Sequence, residues 1–223
     1  MLNRKTLSQS AYSDSNLPIV NEPDHWSLNQ SKQFLELVWQ GIDLFKKNFP
    51  NIDFTQADKQ LERELNQFIQ RRISDVMSGD EPFWCQLEVF EMETISPNSN
   101  RPPQYDIAFI VRANERLMFP FEAKVLKTEG QVSEYVKDVN EAFIPCIYAP
   151  FSYEGAMLGY LLFGTSQKAF QNIGKSLKTD LKQHPKFPNR PHKFSEHTRQ
   201  VPKEKEEFYP AKFRCHHLIF ELS

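Results

Sequence analysis

Two charged residues, Glu122 and Lys124, interrupt the apolar stretch FPFEAKV at residues 119–125. A charge is costly to bury unless it has a partner. Because side chains two positions apart on a β-strand point to the same face, the carboxylate and the ammonium should lie side by side. The stretch therefore predicts a charged site within a strand that is otherwise apolar.

A second carboxylate, Asp106, lies in the apolar segment QYDIAFIV (104–111). The short connection RANER (112–116) makes this segment an antiparallel neighbour of the strand with Glu122, so both carboxylates can approach at one end of the sheet. Two carboxylates at such a short distance repel each other unless a cation lies between them. Mg²⁺ suits such a pair, because it takes oxygen ligands and needs only one or two carboxylates beside its waters and substrate phosphates. Lys124 could hold a metal-bound water or stabilise charge on a phosphate.

The pattern of Asp106, fifteen intervening residues and then Glu122-Ala123-Lys124 resembles the PD-(D/E)xK nuclease superfamily. The resemblance covers residues 58–164 and departs in one place, since Pro103 does not directly precede the acid. It implies a restriction-endonuclease-like α/β fold, with a mixed central sheet built on a three-strand meander. It also implies that Asp106, Glu122 and the carbonyl of Ala123 hold Mg²⁺, for which Mn²⁺ can substitute. Lys124 would act on the attacking water.

Members of the superfamily often place another acid on the helix before the meander, and Glu62 and Glu64 are the candidates here. On a helical wheel the apolar stripe centres near Leu65, with Glu62 about 65° and Glu64 about 95° away. Glu62 is therefore expected to reach the sheet edge, where it would assist the metal or its water.

Gln131 and Tyr135 have the Q-x-x-x-Y spacing of a fourth motif that some recombination-type nucleases of the superfamily carry. The alternative is that Tyr135 is a core aromatic on the apolar side of a helix. The sequence alone leaves both interpretations open.

The elements that would position these residues follow from apolar periodicity and turn signals. Residues 1–26 are expected to form a flexible arm and residues 27–223 a single domain. Ser27 and Thr55 are the expected caps of an extra N-terminal helix and of the helix with Glu62. The pattern then predicts three strands, a helix over 128–143, a strand over 155–164, a basic helix over 166–184, a Pro-rich loop and a final strand, KFRCHHLIFEL.

Histidines and cysteines suggest weaker alternatives. His192, His197 and His217 could form a metal site, but Pro191 indicates a loop there, and Ser195 lacks any nucleophile-elbow pattern.

Cys85, Cys146 and Cys215 are odd in number and lack C-x-x-C spacing, which argues against a disulfide framework and for a reducing compartment. With no leader sequence and no long apolar run, a cytoplasmic protein without a membrane span is expected.

The charge distribution bears on partners. The net charge is −2, yet residues 165–206 hold ten Lys/Arg against four Asp/Glu. This excess could contact DNA phosphates, or it could be an ordinary solvated surface. No G-x-x-x-x-G-K-[ST] motif is present, so an ATPase or recognition subunit would have to come from a partner, and superfamily members often act as homodimers.

The leading expectation is thus a metal-dependent nuclease that hydrolyses DNA phosphodiester bonds, in a setting such as bacterial restriction or phage defence. The alternative is a catalytically silent subunit of the same fold that binds protein or nucleic acid within a larger complex. The presence of Asp106, Glu122 and Lys124 together favours the enzyme.

Overall fold

The structure is a computed structural model and describes residues 28–222, with side chains from Ser31 onward. The expected arm and the Ser27 cap lie outside this range. The described chain is an α/β unit in which a seven-stranded mixed sheet is flanked by four helices. Among these helices, none is long and apolar enough to cross a membrane.

Helices α1 (Leu28–Lys47) and α2 (Asp58–Val76) cover one face of the sheet. Each buries apolar side chains that recur every three or four residues, which is the spacing that places them on one helical face. The helices cross closely at Gly41, where a Cβ atom would lie 2.9 Å from the backbone nitrogen of Ile73.

The sheet has the strand order β1-β2-β3-β4-β7-β6-β5. Its strands are β1 (Phe83–Phe90), β2 (Gln104–Val111), β3 (Met118–Thr128), β4 (Glu154–Phe163), β5 (Lys182–Gln183), β6 (His192–Thr198) and β7 (Lys212–Glu221). The first three form the expected antiparallel meander. Strands β3, β4 and β7 are parallel, and β7, β6 and β5 are antiparallel.

The opposite face of the sheet is covered by α3 (Ser133–Asp138), which continues as a π-helix (Val139–Phe143), and by α4 (Ser166–Leu177). A second apolar cluster forms there around Tyr135, Phe143 and Ile173. Because α3 connects the parallel strands β3 and β4, it follows directly on the strand that carries Glu122 and Lys124.

Four expectations about elements were wrong. The basic helix expected over 166–184 ends at Leu177, and Lys182–Gln183 form strand β5. The Pro-rich segment contains strand β6, because Pro191 precedes the strand and leaves its pairing with β7 intact. Thr55 does not cap α2, since its backbone N–H and hydroxyl both bind Asp53 Oδ1, and the cap position falls on Ala57. The helix expected over 128–143 begins only at Ser133, because Thr128 is still paired in β3.

All three cysteines are buried and free. Burial raises the pKa of Cys85 and of Cys215 well above the usual thiol value, so both behave as core residues.

Candidate active site

Strands β2 and β3 separate at the point where the two carboxylates lie. Their pairing ends at Ile107 and Phe121, although β2 remains paired with β1 as far as Gln104 and β3 with β4 as far as Thr128. Continuing the register by one position places Asp106 opposite Glu122. The two acids therefore stand at the mouth of a fork in the sheet.

Asp106 replaces a backbone acceptor within this fork. Its Oδ2 atom accepts a hydrogen bond of 2.8 Å from the backbone N–H of Ala123. Burial raises the pKa of Asp106, while Lys124 and this hydrogen bond act in the opposite direction. The hydrogen bond fixes the carboxylate beside the Ala123 peptide, whose carbonyl was the third expected metal ligand.

Glu122 is the most deeply buried acid of the site, with 4% of its surface exposed. Its Oε1 atom has no hydrogen-bond partner among the residues that the structure describes. Burial raises the pKa of Glu122 well above the usual value, and the neighbouring Asp106 raises it further, against the opposing effect of Lys124. A buried carboxylate oxygen without a donor is costly unless a proton or a cation meets it.

Glu62 reaches the fork from α2, whereas Glu64 does not. The Glu62 Oε2 atom accepts from the backbone N–H of Val125 at 3.3 Å, and its Oε1 lies 3.8 Å from Lys124 Nζ. Glu64 instead binds Gln56, at 2.5 Å. Burial raises the pKa of Glu62 to about 7, with Lys124 opposing the shift. A cavity of about 400 Å³ opens beside Glu62 and Asp106.

Lys124 is the cation of the site. Its Nζ atom donates to the Ala123 carbonyl oxygen at 2.8 Å and lies 3.8 Å from Glu122 and 4.0 Å from Asp106. Burial lowers the pKa of Lys124, but the surrounding carboxylates, led by Glu122, outweigh it and raise the pKa above the usual value. The ammonium is thus held in its charged form.

Asp138 is the site residue that the sequence did not reveal. Its Oδ2 atom lies 2.9 Å from Lys124 Nζ, closer than the oxygen of any other acid at the fork. The sequence offered only one indication of its position. Asp138 follows the buried Tyr135 by three residues, which puts both on one side of the helix. The contact itself depends on how α3 packs on the sheet.

Four carboxylates thus surround one ammonium, which leaves an excess of negative charge in a largely buried place. The neutralising group must be one or more protons or a further cation. The atoms that the fork offers to a cation are oxygens, and among the described residues the buried Oε1 of Glu122 has no hydrogen-bond partner. Such hard donors suit Mg²⁺ or Mn²⁺ rather than a thiophilic metal, so the residues present fit the expected cation.

Tyr135 lies in the core. Its hydroxyl donates to the carbonyl of Met157 at 3.2 Å and lies 3.1 Å from His217 Nδ1. Gln131 is exposed and precedes α3 by two residues. For Tyr135 the geometry agrees with the core-aromatic alternative.

The three histidines that the sequence offered as a metal site do not converge. His192 faces α1, while His197 and His217 lie on the other face and share the hydroxyl of Ser195, at 2.6 and 2.8 Å. Ser195 is fully buried between them, so no substrate can reach it from solvent. The Ser-His hydrolase alternative therefore has no accessible nucleophile in this structure.

A different trio, His184, His192 and His216, brings ring nitrogens within 4.8 Å of one another. The indole N–H of Trp39 donates to His192 Nδ1, and the backbone N–H of Lys186 donates to His184 Nδ1. In neutral imidazoles those bonds leave the proton on Nε2, which then cannot ligate a metal. Burial lowers the pKa of His184 to about 4 and lowers that of His192 well below the usual value, so these two rings are neutral core residues.

Comparisons of the chain with protein-family models, with curated proteins and with solved structures found no match. The assignment of the candidate active site therefore depends on its geometry alone.

Proposed function

We propose that the chain is a Mg²⁺-dependent nuclease of restriction-endonuclease-like fold that hydrolyses phosphodiester bonds in DNA. One observation carries this proposal: Asp106, Glu122, the Ala123 carbonyl and Lys124 meet in a fork between two strands, and one buried carboxylate oxygen there has no hydrogen-bond partner within residues 31–222. Ordinary salt bridges do not need four carboxylates around one ammonium.

Each residue has a role that its position supports. Asp106, Glu122 and the Ala123 carbonyl would hold the cation, which when bound supplies charge stabilisation at the phosphate and a water of lowered pKa. Lys124 would orient the attacking water and stabilise negative charge on the phosphate. Glu62, fixed by Val125, borders the cavity through which water and substrate would enter.

Lys193 lies on the same face of the sheet as Glu122, with the buried Met157 and His217 between them. Glu122 pairs with Met157, Met157 with His217, and His217 with Lys193, so Glu122 and Lys193 lie in one row across four strands. Three strand spacings place them about 14 Å apart, which is within the width of one duplex.

Lys193 borders a groove of about 410 Å³ together with Lys175 and Lys178. Other basic residues of this segment have structural partners instead: Arg199 donates to four backbone carbonyls and Arg190 pairs with Asp43. We assign the groove lysines to phosphate contacts; Lys193 Nζ also lies 5.4 Å from the centre of the Phe170 ring.

The test is cleavage of plasmid and linear DNA, with RNA in parallel, in Mg²⁺, Mn²⁺ or EDTA. Lys124→Ala should lower the cleavage rate at least 100-fold, because it removes the group that acts on the water. The matched control is Lys127→Ala, since Lys127 lies on the same strand but pairs with Asp58 in solvent. It should cleave like the unaltered protein.

Equal cleavage by Lys124→Ala and the unaltered protein would refute the proposed site. Metal binding without cleavage of any substrate would instead favour the catalytically silent subunit. Cleavage of RNA alone would keep the chemistry and change the substrate.

A further inference from the structure

The ammonium of Lys124 lies where a divalent cation would have to bind. It has two close oxygen neighbours, the Ala123 carbonyl at 2.8 Å and Asp138 Oδ2 at 2.9 Å. Three further carboxylates stand between 3.8 and 4.0 Å from it. The carbonyl that would ligate the cation is therefore already an acceptor for Lys124.

The two cations cannot share this place without strong repulsion. A divalent cation held by the Ala123 carbonyl would share that oxygen with the Lys124 ammonium, which already donates to it at 2.8 Å. Two cations at such a short distance repel each other, and the ammonium is at the end of a flexible side chain. We therefore expect Lys124 to move off the carbonyl when a divalent cation binds.

One acid remains to receive the ammonium. Asp106 and Glu122 would be occupied by the cation, and Glu62, whose Oε2 accepts from Val125, has its Oε1 3.8 Å from Lys124 Nζ, farther away than Asp138. Asp138 comes from α3 rather than from the fork strands, and it already holds Lys124 at 2.9 Å. It stands where the α-helix changes into a π-helix, an irregularity that is frequent at functional sites.

We propose that Asp138 is a positioning residue that draws the Lys124 ammonium away from the Ala123 carbonyl as the divalent cation binds. In doing so it sets the place from which Lys124 acts on the attacking water. This inference rests on the proposed function, since it needs a cation at Asp106 and Glu122.

The experiment measures Mn²⁺ affinity of the full chain without DNA, by calorimetry. The variants are Asp138→Asn, Lys124→Met and the double variant, with Glu122→Gln as the metal-site variant. The matched control is Glu134→Gln, because Glu134 lies on the same helix with its side chain 73% exposed. Thermal melts of every variant check that it is folded.

We expect Lys124→Met to bind Mn²⁺ at least fivefold more tightly, because the competing ammonium is gone. Asp138→Asn should bind at least fivefold more weakly, because Lys124 then stays on the carbonyl. In the Lys124→Met background the Asp138→Asn change should alter the affinity less than twofold. Glu134→Gln should match the unaltered protein. If Asp138→Asn fails to fold, Lys124→Met alone still tests the competition.

Equal effects of Asp138→Asn in both backgrounds would overturn the proposal, because they would mean simple loss of a nearby negative charge. Unchanged or weaker binding by Lys124→Met would overturn it too, because the ammonium would not compete. If Glu122→Gln loses Mn²⁺ while these couplings are absent, only the role of Asp138 fails. If the unaltered protein binds no Mn²⁺, the proposed function fails with it.

Discussion

At the scale of single residues, the charges in FPFEAKV are arranged at the expense of stability. Glu122 is buried beside a second acid, and its Oε1 atom has no partner among the described residues. Replacing such a group would stabilise the fold. Its presence therefore indicates that a ligand or a reaction needs it. The same residue should therefore oppose folding when no cation is present.

This makes Glu122→Gln a stabilising change in metal-free solution. The folded pKa of Glu122 lies well above the unfolded value near 4.5. Its contribution to stability is thus fully present below pH 4.5 and is lost as the pH rises toward the folded pKa. Glutamine has no charge to lose, so at pH 8 in EDTA the variant should melt about 2–4 °C higher, the shift that about 1 kcal/mol gives a domain of this size.

Thermal melts at pH 5 and pH 8 check this, with Glu115→Gln, at an exposed loop position, as the control. The difference between Glu122→Gln and the unaltered protein should shrink at pH 5. Added Mg²⁺ should raise the melting temperature of the unaltered protein alone. A variant that melts lower at pH 8 would show that the Glu122 carboxylate stabilises the fold.

At the scale of elements, the crossing of α1 and α2 holds Glu62 at the fork. The helices approach so closely at Gly41 that an added Cβ atom would meet Ile73 Cγ1 at 2.8 Å and its backbone nitrogen at 2.9 Å. A flexible side chain could move aside, but the backbone of α2 could not. The position of α2, and with it Glu62, therefore depends on a residue without a side chain.

Gly41→Ala should destabilise the protein by about 1–3 kcal/mol, the usual cost of overpacking, although alanine favours helices by about 1 kcal/mol. The control is Gln40→Ala, the exposed neighbour on the same helix, which should change the free energy of unfolding by less than about 0.5 kcal/mol. Urea denaturation measures both variants. Greater stability in Gly41→Ala would mean that helix propensity outweighs the contact with Ile73.

Some of these elements could be predicted from the sequence and others could not. The meander with Asp106 and Glu122 was predictable, because RANER is too short for anything but a hairpin and both flanking segments are apolar. Strand β6 was missed because prolines surround it and its pairing with β7 is not encoded locally. Asp138 was missed for a similar reason: its contact with Lys124 arises only when α3 packs on the sheet.

At the scale of the whole molecule, negative and positive charges are separated over one face of the sheet. Four acids gather at the fork, while Lys175, Lys178 and Lys193 border a groove that begins about 14 Å away along the same row of residues. The net charge of −2 does not reveal this separation, because the positive and negative charges nearly cancel. Under the proposed function, affinity for DNA and metal chemistry would reside in different residues, which can be altered independently.

Replacing Lys175, Lys178 and Lys193 together by alanine should therefore weaken DNA binding and leave Mn²⁺ affinity unchanged. For every lysine–phosphate ion pair that the substitutions remove, the salt dependence, which is the slope of log K against log salt, should fall by about 0.9. Binding to a labelled duplex at several salt concentrations, in Ca²⁺ to prevent cleavage, measures this slope. The control replaces Lys32, which pairs with Glu36, and the exposed Lys47, both on α1 at the opposite face of the sheet. An unchanged slope in the triple variant, or an equal decrease per lysine in the control, would mean that the DNA backbone does not follow this groove.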